Sequence, residues 1–117
     1  MHTGHNCRVF PALIFIACLS ACAGSPRTLY SWGSYEAQVY AYLKGESRER
    51  QIDALERDRE KIELSGKAVP PGFYAHLGLL YAETGNNAMA MACFEMEKAR
   101  FPEDTAYIDL LFGGYGN

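Results

Sequence analysis

No segment of this chain is apolar for long enough to cross a bilayer as a helix. The apolar run from Val9 to Ala21 carries no charge, is broken near its start by Pro11 and stops well short of the roughly 20 apolar residues that a spanning helix needs. Histidine is scarce: of the three in the chain, only His76 lies beyond the first few residues. A zinc site draws on several His and Cys at ligand spacing, and none accompanies His76. Basic charge is thin, with 11 Lys and Arg against 14 Asp and Glu. That balance argues against a nucleic-acid-binding face and against electrostatic adhesion to anionic lipid. There is no nucleophile-elbow motif and no phosphate-binding glycine loop. The residue patterns that would carry catalysis, a metal or a cofactor are missing, so no enzymatic activity, no cofactor and no metal are expected.

What is present begins with "FIACLSACAGSP", Phe15 to Pro26. A short apolar run preceded by Arg8 and no acid has the form of a secretory signal, and it gives way to small and polar residues at a cysteine. Leu19, Ser20, Ala21 and Cys22 resemble, position by position, the lipobox of bacterial lipoproteins. The resemblance implies cleavage between Ala21 and Cys22, with a diacylglyceryl group joined to the Cys22 sulfur as a thioether and a third acyl group on its new amino group. A thiol is the side chain on which such a thioether is built, and several acyl chains hold a protein on a bilayer where one does so only marginally. Residue 23 is Ala rather than the Asp that commonly retains lipoproteins at the inner membrane, so the expected location is the outer membrane, facing the periplasm.

Processing of this kind changes the cysteine count. Cys7 and Cys18 leave with the signal and Cys22 is taken by lipid, which strands Cys93 without a partner in the chain. Cys93 lies in "AMAMACFEM", apolar on nearly every side, and free Cys is among the most buried residue types. A buried, inert thiol is expected, rather than a nucleophile paired with His76.

Beyond a lipidated tether (22–33), the periodicity is helical throughout, and nothing has the pattern of a strand. Tyr35, Val39 and Tyr42 share one face of a first helix, with Ser34 as N-cap and Gly45 as stop. A second helix, about 47–65, carries Ile52, Leu55 and Ile62 on a narrow stripe. Its other faces pair Glu46 with Arg50, Asp53 with Arg57 and Arg59 with Glu63 at i,i+4 spacing. A third helix opens with Pro71 in its first turn and runs to about Thr84. A fourth starts at Asn86-Asn87 and ends before Pro102, and a short apolar helix covers 104–112 ahead of a flexible tail, 113–117. The expected fold is all-α, with one helical domain over 34–112.

The third and fourth helices follow the tetratricopeptide pattern W-x2-L-G-x2-Y, A-x3-F, P. Here stand Tyr74, Leu77, Gly78 and Tyr81, then Ala90 and Phe94, then Pro102. Gly78 and Ala90 are small so that two helices can approach, and Leu77, Tyr81 and Phe94 fill the seam. Glu97 stands where the pattern asks for another small residue. Tyr35, Tyr42 and Leu55 repeat the spacing of Tyr74, Tyr81 and Phe94 in a degenerate first copy. This predicts a tetratricopeptide-like stack of two helical hairpins plus a C-terminal helix, with Tyr30, Trp32 and that final helix, or else a partner, serving as caps.

In such a stack the first helix of each hairpin lines a concave side. That face carries Glu36, Tyr40, Leu43 and Lys44 in one hairpin and Ala75, Leu79, Ala82 and Glu83 in the other, a candidate groove for a partner peptide or helix. The alternative is that the tether or the final helix covers Tyr40, Leu43 and Leu79. The abundant tyrosines could also stack on sugars, although most fall on core-facing positions.

"LYSWGSYEAQVYAYLKG", "VPPGFYAHLGLLYAETGN" and "FEMEKARFPED" together resemble an uncharacterised family of short bacterial lipoproteins, known only as a domain of unknown function. The resemblance implies an envelope lipoprotein often encoded beside curli-channel-like lipoproteins, and it implies no catalytic residues. The expected function is non-catalytic docking of another envelope or secretion-apparatus protein, with a curli-channel-like lipoprotein as one candidate. A pilotin-like chaperone for a secretion channel and a peptidoglycan-binding lipoprotein are the alternatives.

Overall fold

Turn residues set the helix boundaries. In the computed structural model, which describes residues 29–116, α1 spans Tyr35–Leu43, α2 Arg48–Leu64, α3 Phe73–Glu83, α4 Asn87–Arg100 and α5 Thr105–Phe112. Ser47 caps α2, its side chain accepting the Arg50 N–H at 3.3 Å, and the Asn86 side chain does the same for Met89 at 3.2 Å. Each satisfies an amide that the first helical turn leaves without an internal partner. Pro102–Asp104 forms a single 3-10 turn between α4 and α5, and Gly113–Gly116 forms another after α5. The fold is all-α: two helical hairpins, α1–α2 and α3–α4, and a short C-terminal helix. Among the described residues no helix is long and apolar enough to cross a membrane.

Two expected helix starts differ in detail. Pro71 does not occupy the first turn of α3; the N-cap is Gly72, with φ +87°. That left-handed conformation is cheap only for glycine, and a Cβ there would lie 2.7 Å from the Tyr35 hydroxyl. Ser34 stands at the N-cap of α1 but makes no side-chain capping bond. Its backbone N–H, 2.7 Å away, and its hydroxyl both donate to Asp58 of α2. A carboxylate from another helix outcompetes the local cap because it accepts both donors and carries a full charge.

The two hairpins share a core built on Leu55, Val69, Phe73, Leu77, Leu80 and Cys93. A second cluster joins Ala82, Ala90, Phe94 and Ile108, with Phe112 packed against it. Gly78 lies at a close approach of α3 to α4, where an added Cβ would sit 2.5 Å from the Phe94 ring. Phe94 cannot easily retreat, because Phe112 stacks on its far side at 4.3 Å. The expected role of Gly78 at the seam is met.

Glu97, which departs from the repeat pattern, has a structural role of its own. Its carboxylate is fully buried and accepts N–H groups from Gly72 at 2.6 Å, Tyr74 at 3.1 Å and Ala75 at 3.2 Å. It therefore closes the open N-terminus of α3, where the helix dipole favours negative charge. Burial pushes its carboxyl above the usual carboxylate range, against the pull of these three donors.

Residues 29–33, assigned from sequence to the tether, belong to the packed domain. Tyr30 and Ala68 form one isolated parallel bridge, with Ser31 N–H donating to Ala68 O at 2.9 Å and Ala68 N–H to Leu29 O at 3.3 Å. The Tyr30 ring meets Phe101 at 6.1 Å and Trp32 stacks on Tyr35 at 6.2 Å. Of the three ion pairs expected along α2, only Arg59–Glu63 forms, at 3.2 Å, joined by Arg59–Glu56 at 2.8 Å. Glu46 precedes the helix, and Asp53 and Arg57 are exposed, where water rivals a partner.

Candidate functional site

The residues that could meet a partner lie on α1, α3 and α5, which run the same way. Tyr35 packs on Phe73 at 5.7 Å and Tyr42 bonds Glu83 at the other end of α3, so α1 lies parallel to α3. Lys98 pairs with Asp109 while Phe94 stacks on Phe112, so α5 runs antiparallel to α4 and parallel to α3.

On α1 the expected face is open. Glu36, Tyr40, Leu43 and Lys44 are all exposed, Tyr40 by 60% and Leu43 by 76%. The Lys44 ammonium sits 4.5 Å over the Tyr40 ring, a cation–π contact that holds the ring in place at little cost.

On α3 the structure separates residues that the sequence grouped. Ala82 is buried and Ala75 packs beside it against the cluster of Phe94 and Ile108. This part of the expected groove is thus taken by the C-terminal helix, whose Ile108 and Phe112 must bury somewhere. Leu79 stays half-buried. Glu83 is not a free rim charge: the Tyr42 hydroxyl donates to it at 2.6 Å and Arg48 Nε at 2.9 Å. The Tyr42 bond holds the Glu83 carboxyl below the usual range. With the Arg48 guanidinium 4.7 Å over the Tyr42 ring, these three clamp the hairpins together at the end far from Tyr30.

Sequence reasoning missed the contribution of α5. Ile108 and Phe112 face the core, and Asp109 turns to Lys98 of α4. The opposite flank carries Tyr107, Leu110 and Leu111, all exposed, Leu110 by 82%. The signal was in "TAYIDLLF", which has more apolar residues than one stripe of a two-turn helix can bury.

The two candidates for chemistry sit apart. His76 puts its ring edge-on to Tyr35 at 6.1 Å and to Tyr42 at 5.4 Å. Burial holds its imidazole below the ordinary value, opposed by Glu83. Cys93 instead floors a cleft of about 200 Å3 with Leu77, Met89 and Met96, edged by Glu56 and Arg59. Burial pushes its thiol up to about 12. His76 and Cys93 thus face different helices, and Cys93 lacks the electropositive, open setting of a reactive thiolate. Among the described residues no three His, Cys, Asp or Glu side chains gather as a metal site. Cys22 lies outside the described residues.

Two antiparallel helical hairpins closed by one short helix, with apolar side chains left outside on the first and last of three parallel helices, define a small all-α hairpin scaffold. The chain belongs to the family described as a domain of unknown function, DUF4810, whose sequence pattern matches residues 29–111. No curated protein and no solved structure matches it.

Proposed function

We propose that this protein is a lipid-anchored envelope protein of the outer membrane whose tetratricopeptide-like domain docks a partner without catalysing a reaction. The observation that carries the docking role is the set of exposed apolar residues on parallel helices: Tyr40 and Leu43 on α1, Tyr107, Leu110 and Leu111 on α5. Large apolar side chains grouped together, as they are within α1 and again within α5, mark interaction sites more often than singly scattered ones do. Helices presenting such side chains suit an amphipathic helix or apolar peptide of another envelope protein, with a curli-channel-like lipoprotein as the first candidate. The tetratricopeptide assignment is supported by Gly78 against Phe94 and by the spacing of the aromatic residues. The anchor rests on Leu19, Ser20, Ala21 and Cys22.

The experiment places a photo-crosslinking residue at Leu43 and, separately, at Leu110 in the full chain in cells, and compares both with Asp53 on the outer face of α2. Crosslinks to one envelope protein from Leu43 or Leu110 but not Asp53 are expected. Tyr40→Ser with Leu110→Ser should abolish the crosslink while the thermal melt stays unchanged. Equal crosslinking from all three sites, or binding to insoluble peptidoglycan in place of a protein, counts against the docking role. For the anchor, Cys22→Ser should abolish labelling by a palmitate analogue, and labelling that survives ends the lipoprotein assignment.

A further inference from the structure

The end of the domain where the chain enters carries its own exposed apolar residues, separate from those of the docking helices. Leu29 is 70% exposed, Leu64 82% and Trp32 45%. The bridge between Tyr30 and Ala68 sets the two segments that carry them side by side. Leu29 bonds Ala68 through its carbonyl, and Leu64 closes α2 just before the turn that leads to Lys67 and Ala68. Trp32 follows the bridge directly and stacks on Tyr35. Packing alone does not explain this arrangement, since each of these side chains leaves much of its apolar surface in water.

The length of the preceding chain says what meets this end. Leu29 follows Cys22 by seven residues, which reach at most about 25 Å when fully extended. If Cys22 carries acyl chains, Leu29 cannot leave the neighbourhood of the bilayer, and the surface nearest the lipid is the one bearing Leu29, Trp32 and Leu64. Tryptophan favours the membrane–water interface, where its ring lies among headgroups, and an exposed Lys such as Lys67 can lay its stem on apolar surface with its charge in water. We propose that this end of the domain rests on the lipid headgroup region, with Leu29, Trp32 and Leu64 inserted as a second contact beside the anchor. The acyl chains on Cys22 hold the protein on the bilayer, and this contact fixes the face that the domain turns to it. The contact also sets orientation: α1, α3 and α5 start at this end, so Leu43 and Leu110 point away from the bilayer toward a partner.

This inference rests on acylation of Cys22, and the test separates the two. The full chain is purified from membranes and reconstituted in phosphatidylethanolamine–phosphatidylglycerol vesicles containing brominated lipid. Trp32 is the only tryptophan in the sequence, so its fluorescence reports this end alone. Blue-shifted emission and strong quenching by brominated lipid are expected, and Leu29→Ser with Leu64→Ser should lower the quenching roughly two-fold while the protein stays with the vesicles, because the ring then sits less deeply at the interface. Mass spectrometry of the same sample reads the acyl groups. An unacylated Cys22 overturns both the anchor and this contact. An acylated chain whose Trp32 is quenched no more than that of the Cys22→Ser chain mixed with the same vesicles overturns the contact alone. Blue-shifted emission without lipid quenching also overturns it, since protein would then cover Trp32.

Discussion

Glu97 accepts the backbone N–H of Gly72 at 2.6 Å, so a carboxylate on the second helix of a hairpin caps the first helix of the same hairpin. Gly72 has no side chain with which to cap, and its positive φ turns its own amide toward α4. Two more amides of the first turn, Tyr74 and Ala75, reach the other carboxylate oxygen. Three of the donors that a helix start leaves open are met by one residue, and the α3–α4 turn and seam are locked together as a result.

Glu97→Ala should therefore be among the most damaging single changes, costing about 3 kcal/mol or more because it strands buried donors. Glu97→Gln keeps an oxygen to accept with and should lose less. Urea unfolding of the two variants checks the order. An alanine variant as stable as wild type would mean that water serves these amides equally well.

Gly78→Leu should destabilise the domain on the order of 1–3 kcal/mol or more by overpacking. The added side chain drives Phe94 against Phe112, the ring stacked on it at 4.3 Å. A weakened Phe94–Phe112 contact should appear in the near-ultraviolet circular dichroism. A melting temperature equal to wild type would remove Gly78 from the seam.

Stability should fall as pH drops through the histidine range. Burial keeps the folded His76 imidazole less basic than in the unfolded chain, whose value lies near about 6.5. The unfolded state then binds the extra proton first, and protonation draws the equilibrium toward it. Tyr35, Tyr42 and Glu83 face the ring, and only Glu83, with Arg48 beside it, carries charge. Glu83 is held low, so it keeps its proton off in this window. Glu97, held high, acts in the opposite sense, so the comparison is made against His76→Phe. Urea midpoints between about pH 7.5 and 5.5 should fall more steeply for wild type than for the variant. Equal slopes would show that His76 protonates freely in the fold.

The Cys93 thiol, pushed up to about 12 by burial, should resist iodoacetamide at mildly alkaline pH. Relative to an ordinary thiol near about 8.5, its thiolate population falls on the order of a thousandfold. Alkylation should then track unfolding and accelerate with urea. Rapid modification of the folded domain would show that the cleft over Cys93 opens readily.

Much of the fold was legible because its signals are local. Gly45, Ser47, Asn86 and Pro102 mark helix ends through capping and backbone preferences that act within a few residues. Leu55, Leu77 and Phe94 show the core through helical spacing. Gly78 and Ala90 mark the close seam because only small residues fit there, and the same periodicity put Glu36, Tyr40, Leu43 and Lys44 on one face of α1 without deciding whether that face stays open.

What the sequence by itself determined was therefore the helices, their order in two hairpins and the short apolar helix after them. Tertiary structure decided the rest, because the partners lie far apart along the chain. Glu97 reaches Gly72 across 25 positions and Ser34 reaches Asp58 across 24, and no local rule announces a carboxylate that caps a helix from outside it. The same holds for the groove. Ala75 and Ala82 share a face with Leu79 in the sequence, but only the docking of Ile108 and Phe112 determined that α5 would cover them and leave its own Tyr107, Leu110 and Leu111 exposed. Periodicity shows which side chains seek burial; three-dimensional packing selects which of the competing apolar faces obtains it.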